Sequence, residues 1–264
     1  MPSLEFFLVG RFMVFTLVLA RVGGLVATAP VFNALGLPRQ VRAFLAVALA
    51  MVVTPVYLDT SLPPIDDLAV YGRLLVSELA VGLLLGVGMN VLFTGIQTAG
   101  QIVSQMSGLS IADVFNPGFD ENISVFSQLF FYLTLAVYVA IGGHRMLIEA
   151  LLGTFAWAPP GHAVLGDSFV EALTEVLSQS FVLGVRASAP LLIALFLATI
   201  VLGLVSRTLP QLNVIALGFG LNSFLTLAMM MISLGAVAWT FQEPAIDALH
   251  HLQEASVATS VSSP

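Results

Sequence analysis

Apolar segments of membrane-spanning length follow one another through most of this chain and leave little room for any other kind of fold. Six such segments are separated by short polar or proline-bearing turns, at residues 4–31, 41–58, 68–106, 123–157, 169–205 and 214–241. Only 9% of the 264 residues are charged, whereas a soluble domain carries about 25%. So few charges cannot solvate a protein surface, and most of this surface must therefore face lipid or other apolar protein.

The segments predict helices, because a helix satisfies its own backbone hydrogen bonds inside lipid. About 20 residues cross the hydrocarbon, so the third, fourth and fifth segments are too long for simple spans. They either project beyond the bilayer or break at Gly142-Gly143 and near Pro190. We expect an all-α polytopic membrane protein with long, kinked helical hairpins. Residues 1–242 are predicted to form one membrane-embedded domain, and residues 243–264 a partly disordered C-terminal tail.

The charges give a preliminary orientation. Arg39 and Arg42 place the first loop in the cytoplasm, and the acidic second loop then lies outside, together with the N-terminus. Pro30 disfavours cleavage after the small residues Ala27-Thr28-Ala29, so the first segment is predicted to be a retained helix rather than a signal peptide.

Several functional classes find no support in the sequence. The net charge is −7 with no basic run, which argues against nucleic acid as a partner and against a polybasic patch for anionic lipid headgroups. There is no cysteine, and no histidine has a second ligand at metal spacing. No nucleophile elbow or phosphate-binding loop is present. The sequence therefore predicts no catalytic residues, no metal, no cofactor and no enzyme activity.

A polar face on the third segment is the clearest candidate functional feature. Six polar residues recur at steps of three and four, which places them along one side of a helix: Asn90, Thr94, Gln97, Gln101, Ser104 and Gln105. Amides that face lipid are costly, so they must face water or polar partners. The face could line a hydrated conduit, or it could join neighbouring helices through hydrogen bonds; the sequence leaves both interpretations open.

The loop that follows this face carries more large apolar side chains than a solvated linker would. Between Gly108 and Asn122, turn-forming residues alternate with apolar ones that need something to pack against. Such a loop could plug a conduit or dock on the end of the helical bundle. The residues concerned are Gly108, Leu109, Ile111, Val114, Phe115, Asn116, Pro117, Gly118 and Phe119.

Ionisable residues within the apolar segments also need partners, and intramembrane charge is a functional hypothesis by default. The sequence allows pairs such as Arg21 with Glu78 but does not establish them. A structural ion pair, or burial against another subunit, is favoured over a proton relay. The set comprises Arg11, Arg21, Glu78, Glu149 and Arg186.

Three runs of residues, spread over nearly the whole chain, carry a family resemblance. They are Ala20-Arg21-Val22-Gly23-Gly24 with Ala29-Pro30-Val31-Phe32; Gly100-Gln101-Ile102-Val103-Ser104-Gln105-Met106-Ser107-Gly108; and Arg207-Thr208-Leu209-Pro210-Gln211-Leu212-Asn213-Val214 with Gly218-Phe219 and Leu221. The last run is the most specific, because a Pro-Gln-Leu-Asn turn joins two apolar helices. The chain resembles the FliR family of flagellar biosynthetic export-gate proteins, whose relatives serve in type III secretion. Gly220 stands where many relatives have proline, which puts only local helix geometry in doubt.

This resemblance implies a structural and gating subunit of the flagellar type III protein export channel, with a fold like a fusion of FliP-like and FliQ-like folds. Its implied partners are FliP-like and FliQ-like subunits in a hetero-oligomer, FlhB-like and FlhA-like export components, unfolded export substrates and membrane lipid. The implied location is the bacterial inner membrane at the flagellar basal body. By position, the family's plug loop matches Gly108 to Asn122, so the resemblance favours the plug interpretation.

Two other classes remain as alternatives. An ion-coupled secondary transporter would use intramembrane carboxylates and usually shows repeated halves, which this sequence lacks. A membrane-embedded enzyme would need a nucleophile, a metal or a paired acid and base, and no residues here have that spacing.

Overall fold

A computed structural model describes residues 4–34, 36–58, 67–108, 124–163, 167–209 and 214–261. Throughout these ranges the regular structure is helical, with no strand, because the apolar runs satisfy their backbone only as helices. The α-helices are α1 (Leu4–Thr28), α2 (Pro30–Ala34), α3 (Arg39–Val53), α4 (Leu68–Ser107), α5 (Val125–Ala140), α6 (Gly143–Trp157), α7 (Asp167–Thr208) and α8 (Val214–Val261). The predicted all-α fold is confirmed.

Within these ranges, four helices are long and apolar enough to cross a membrane. The candidate spans are Val9–Thr28, Arg39–Tyr57, Leu68–Ser107 and Phe169–Thr208. The second of them includes the short 3₁₀ turn Thr54–Tyr57 that extends α3. A fifth span exists if α5 and α6, which are separated by a break, are counted as one. The chain is therefore a polytopic membrane protein.

The two proposed helix breaks behave differently. At Gly142 the chain turns with φ = +77°, a conformation that glycine adopts without steric cost, and α6 begins at the next residue. At Pro190, by contrast, α7 continues without interruption for its full 42 residues. Leu183, Ala187 and Leu191 are buried on both sides of the proline, so packing holds the helix together despite one lost hydrogen bond. Of the two alternatives predicted for this segment, a break near Pro190 or one helix longer than a simple span, α7 forms the second.

The chain divides into two compact units. The first comprises Met1–Val91, Gly142–Ser178 and Ala245–Pro264. Its core includes fully buried Leu17, Leu25, Leu84 and Leu85. Helices α1 and α4 approach so closely at Gly82 that a Cβ there would lie 1.9 Å from the carbonyl oxygen of Arg21. This close approach brings the polar groups of the two helices within reach of one another.

The second unit comprises Leu92–Ile141 and Gln179–Pro244. Its core contains an aromatic cluster in which the Phe93 ring lies edge-on to Tyr138 at 5.6 Å and to Phe241 at 5.3 Å. Backbones approach closely where α4 meets α5, since a Cβ on Gly100 would lie 2.7 Å from the Cα of Ser127. The polar face predicted on α4 runs directly past this contact.

The C-terminal segment after residue 243 is helical in the described residues. Helix α8 continues through that position to Val261, and Ala245, Ala248 and Leu252 are buried. Gly88 provides the space for this packing, because a Cβ there would lie 2.5 Å from Leu252 Cδ1. Apolar residues at helical spacing thus extend the α8 contacts well into the segment that the sequence marks as a tail.

Candidate functional site

The first unit encloses an ion pair between α1 and α4. Arg21 Nε donates to Glu78 Oε2 at 2.6 Å, and both side chains are 0% exposed. The pair lies one turn from Gly82, where the missing side chain lets the two helices meet. The sequence allows this pairing, and the structure forms it.

Three further hydrogen bonds satisfy the remaining groups of the pair. Arg21 Nη1 donates to Thr154 Oγ1 at 3.1 Å, and Nη2 donates to the Ala158 carbonyl at 3.0 Å. Gly161 N donates to Glu78 Oε1 at 2.8 Å. The guanidinium also lies over the Phe155 ring, 4.1 Å from its centroid. A buried pair offsets its desolvation only when its polar groups have further partners, and here each guanidinium nitrogen and each carboxylate oxygen has at least one. The cluster ties α1 and α4 to the end of α6 and the turn that follows it.

The polar face on α4 divides into two parts. Gln101 Oε1 accepts from Ser124 N at 3.3 Å and lies 3.2 Å from Ser127 Oγ. Ser127 Oγ also lies 2.9 Å from the Gln97 carbonyl, and Ser104 is buried. This part of the face therefore joins α4 to α5 through hydrogen bonds.

The other part of the polar face is exposed on the described chain. It consists of Asn90, Thr94 and Gln105. These side chains are placed to meet water or a polar partner, as a conduit lining or a subunit contact requires. For these exposed residues, the conduit interpretation and the subunit-contact interpretation both stay predictions.

Two predicted elements lie mostly outside the described residues. The loop residues Leu109, Ile111, Val114, Phe115, Asn116, Pro117, Gly118 and Phe119, and the turn Pro210, Gln211, Leu212 and Asn213, belong to ranges that the structure does not describe. Gly108 is described and ends α4 with φ = +81°. At the other end of the loop, Ser124 caps α5 by accepting from Ser127 N at 3.1 Å. Since Gln101 contacts Ser124, the two helices that flank the loop meet beside the start of α5.

The remaining predicted charges have different environments. Glu149 is exposed and pairs with Arg145 in the same helix at 2.8 Å. Arg11 is exposed. The Arg186 side chain is also exposed, and it makes no hydrogen bond or ion pair with any residue in the described ranges. In those ranges no group of three or more histidine, aspartate or glutamate side chains could hold a metal ion.

Sequence reasoning missed two features. Ala158 and Gly161 join the buried cluster through backbone groups, which leave no signal in residue type. The second is the exposure of α7, where only 17% of the most apolar stretch is buried. Its apolar residues could have indicated this exposure only together with knowledge of which helices pack against it.

Comparison with known proteins decides the family. Residues 12–246 match the family described as bacterial export proteins, family 1. Over 212 residues the chain is 30% identical to flagellar biosynthetic protein FliR of Escherichia coli K12. This alignment covers 80% of each of the two chains. The chain belongs to the FliR family.

Other FliR proteins match over similar lengths. The FliR protein of Caulobacter vibrioides is 28% identical, over 85% of this chain and 90% of its own. That of Bacillus subtilis is 26% identical, over 87% and 89%. These relatives are named for flagellar biosynthesis rather than for a reaction. FliR membership and the apolar spans together make this chain a multi-pass membrane component of the flagellar export apparatus, as the sequence resemblance predicts.

Proposed function

We propose that this FliR-family chain is a structural and gating subunit of the flagellar type III protein export channel. It forms the entry gate with FliP-like and FliQ-like subunits in the bacterial inner membrane, at the flagellar basal body. The observation that carries this proposal is an exposed apolar surface on α7 that is too long for lipid alone to cover.

This surface, called the α7 face below, runs nearly the whole length of the helix. Its large exposed side chains include Val170, Phe181, Val185, Ile193, Phe196 and Leu204. From Val170 to Leu204 the axis rises about 51 Å at 1.5 Å per residue, against a hydrocarbon thickness of about 30 Å. Even a tilt of 40° leaves about 39 Å to cover. Part of the α7 face therefore needs protein rather than lipid against it.

Arg186 lies within the α7 face, and its guanidinium needs a hydrogen-bond acceptor or a counter-ion there. Its guanidinium is exposed without a partner in the described ranges, and an arginine at the centre of the hydrocarbon costs at least about 2.5 kcal/mol. Pro190 has no N–H to donate to the carbonyl of Arg186, four residues earlier. The same point on the helix thus presents an unpaired cation and a carbonyl without its usual donor. A neighbouring subunit with a carboxylate or carbonyl acceptor would satisfy the cation.

The polar residues of α4 support a passage next to these subunits. Asn90, Thr94 and Gln105 are exposed polar residues of α4. We place them on the side that meets water or a partner subunit. The loop from Gly108 to Asn122, which connects α4 to α5, is the proposed plug. Unfolded export substrates would pass when the plug moves, and FlhB-like and FlhA-like components would adjoin the gate.

The test is copurification in mild detergent. The tagged chain should bring down FliP-like and FliQ-like chains, and Arg186→Glu should reduce their yield, because it places a carboxylate opposite the expected acceptor. Arg73→Glu is the matched control: Arg73 is also exposed but lies outside the α7 face. A wild-type chain that purifies alone as a stable monomer and binds a small solute would support the transporter alternative instead.

A further inference from the structure

A cavity between α1 and α3 is not used by the proposed gate. Its volume is about 470 Å³, within the range of small-molecule sites in proteins. From α1 it is lined by Leu19, Gly23, Val26 and Ala27, and from α3 by Arg39, Arg42, Ala43, Ala46 and Val47. All of these residues belong to the first compact unit. We call this cavity the α1–α3 groove.

The groove is apolar along its length and cationic at one end. The lining residues of each helix recur at helical spacing over about eight positions, or roughly 12 Å of helix axis. Arg39 and Arg42 lie in the first turn of α3, while Ala43, Ala46 and Val47 continue the same face without charge. An occupant must therefore combine an anionic group with a hydrocarbon chain.

The cationic end has unsatisfied charge. Both arginines lie at the positive end of the α3 dipole, where anions are favoured and cations are not. The first turn contains no acidic residue, and Pro38 provides no side-chain cap. The Arg39 side chain is exposed and makes no hydrogen bond or ion pair with another described residue. Arg42 Nη1 donates to Asn33 Oδ1, but its Nε is buried without a partner.

The groove also lies at the depth that suits an amphiphile. The candidate span of α1 ends at Thr28, and that of α3 begins at Arg39. If both candidate spans cross the bilayer, the cationic end falls at the membrane boundary and the apolar part lies within the hydrocarbon. The positive-inside rule places this end in the cytoplasm, where the leaflet carries the anionic lipids.

We infer that the α1–α3 groove binds an anionic glycerophospholipid, with its phosphate at Arg39 and Arg42 and one acyl chain against Gly23 and Ala46. Two arginines are too few for a polybasic surface, but a discrete site needs only the phosphate contacts and a chain-sized groove. This site is separate from the polar face of α4 and from the α7 face, so it does not depend on the gate assignment.

Native mass spectrometry of the full chain tests this inference. The chain is extracted from cell membranes in mild detergent, together with any proteins that copurify, and is then delipidated. It is titrated with phosphatidylglycerol or with phosphatidylcholine of the same acyl chains. We expect wild type to retain phosphatidylglycerol preferentially. Arg39→Gln/Arg42→Gln should bind it roughly 30-fold more weakly. Arg73→Gln/Arg207→Gln removes the same charge from exposed sites outside the groove and should bind as wild type does.

A second pair of variants tests the acyl chain and leaves the charges intact. A Cβ on Gly23 would have no heavy atom within 4 Å, so the backbone leaves room for a side chain there, and Gly23→Leu should occupy the groove and reduce phosphatidylglycerol retention. Gly10→Leu is the control, since that glycine is equally open and does not line the groove.

Three results would overturn the inference. One is unchanged lipid retention in Arg39→Gln/Arg42→Gln or in Gly23→Leu. Another is equal loss in either control, which would indicate non-specific electrostatics or misfolding. The third is a wild-type chain that retains no anionic lipid, which would indicate that protein rather than lipid covers the groove.

Discussion

The guanidinium of Arg21 and the carboxylate of Glu78 lie 2.6 Å apart with no exposure to solvent or lipid. They belong to helices α1 and α4, whose backbones meet at Gly82. Together with Thr154, Ala158 and Gly161, the pair forms a closed set of hydrogen bonds. Because both carboxylate oxygens are already bonded to donors, we propose that the pair stabilises the packing of the first unit rather than carrying protons.

Removing one member of this pair should be more damaging than removing both. Glu78→Ala leaves the Arg21 charge buried without a counter-ion, and we expect a loss of about 3–5 kcal/mol in stability. Arg21→Leu/Glu78→Leu should recover much of that loss. The measurement is the fraction of monodisperse protein that survives heating in detergent.

The exposed pair Arg145–Glu149 is the control for that experiment. Its side chains are 80% and 56% exposed, so Glu149→Ala should change thermal survival little. If Glu78→Ala and Glu149→Ala reduced thermal survival equally, burial of the Arg21–Glu78 pair would make no difference to its contribution to stability.

Gln101→Leu should weaken the junction between α4 and α5. The substitution leaves Ser124 N, a partly buried donor, without its acceptor, at a cost of about 1–3 kcal/mol. We expect lower complex yield and reduced swimming motility. Gln105→Leu changes an exposed residue of the same helix. It leaves the α4–α5 hydrogen bonds intact, so a loss of motility in this variant would come from the predicted conduit and not from the junction. Normal motility and normal yield in both variants would remove both roles from the polar face.

Gly82→Ala should disrupt the first unit. The added Cβ would lie 1.9 Å from a backbone oxygen of α1, so the helices would have to separate around the buried pair. Gly72→Ala lies in the same helix with no heavy atom within 4 Å of its Cβ position, and should gain about 1 kcal/mol from helix propensity. The readout is thermal survival of both variants, which should move in opposite directions.

Deleting Gly108 to Asn122 should make the assembled gate leak ions, because the proposed plug would be removed. The check is membrane conductance, or loss of membrane potential, in cells that produce the complex at normal yield. Unchanged conductance with an intact complex would rule out the plug assignment.

The sequence predicted the class of fold because it depends on apolar length, and the break at Gly142 because a lone glycine pair interrupts a long apolar run. It left α7 undecided at Pro190, because the burial of Leu183 and Leu191 that holds the helix together is a tertiary effect. It could not show that Leu252 packs at Gly88, since that contact joins positions far apart in the chain.

The candidate site was predictable to a different extent. The sequence identified Arg21 and Glu78 as charges in need of partners, because burial of an arginine or a glutamate demands compensation. It could not show that Gln101 bonds to α5 while Asn90 and Gln105 are exposed. Those assignments depend on which side of α4 meets a neighbour, and helical periodicity alone does not encode that choice.

The most direct test of the central claim is site-specific photo-crosslinking on α7 in living cells. A photoreactive residue at Phe196, which is 58% exposed, should form a crosslink to a FliP-like or FliQ-like chain. The same residue at Leu195, which is 1% exposed, should give crosslinks within this chain only. Intermolecular protein adducts at position 196 are the predicted result. Adducts to lipid alone at that position, in cells that export flagellar proteins normally, would contradict the account.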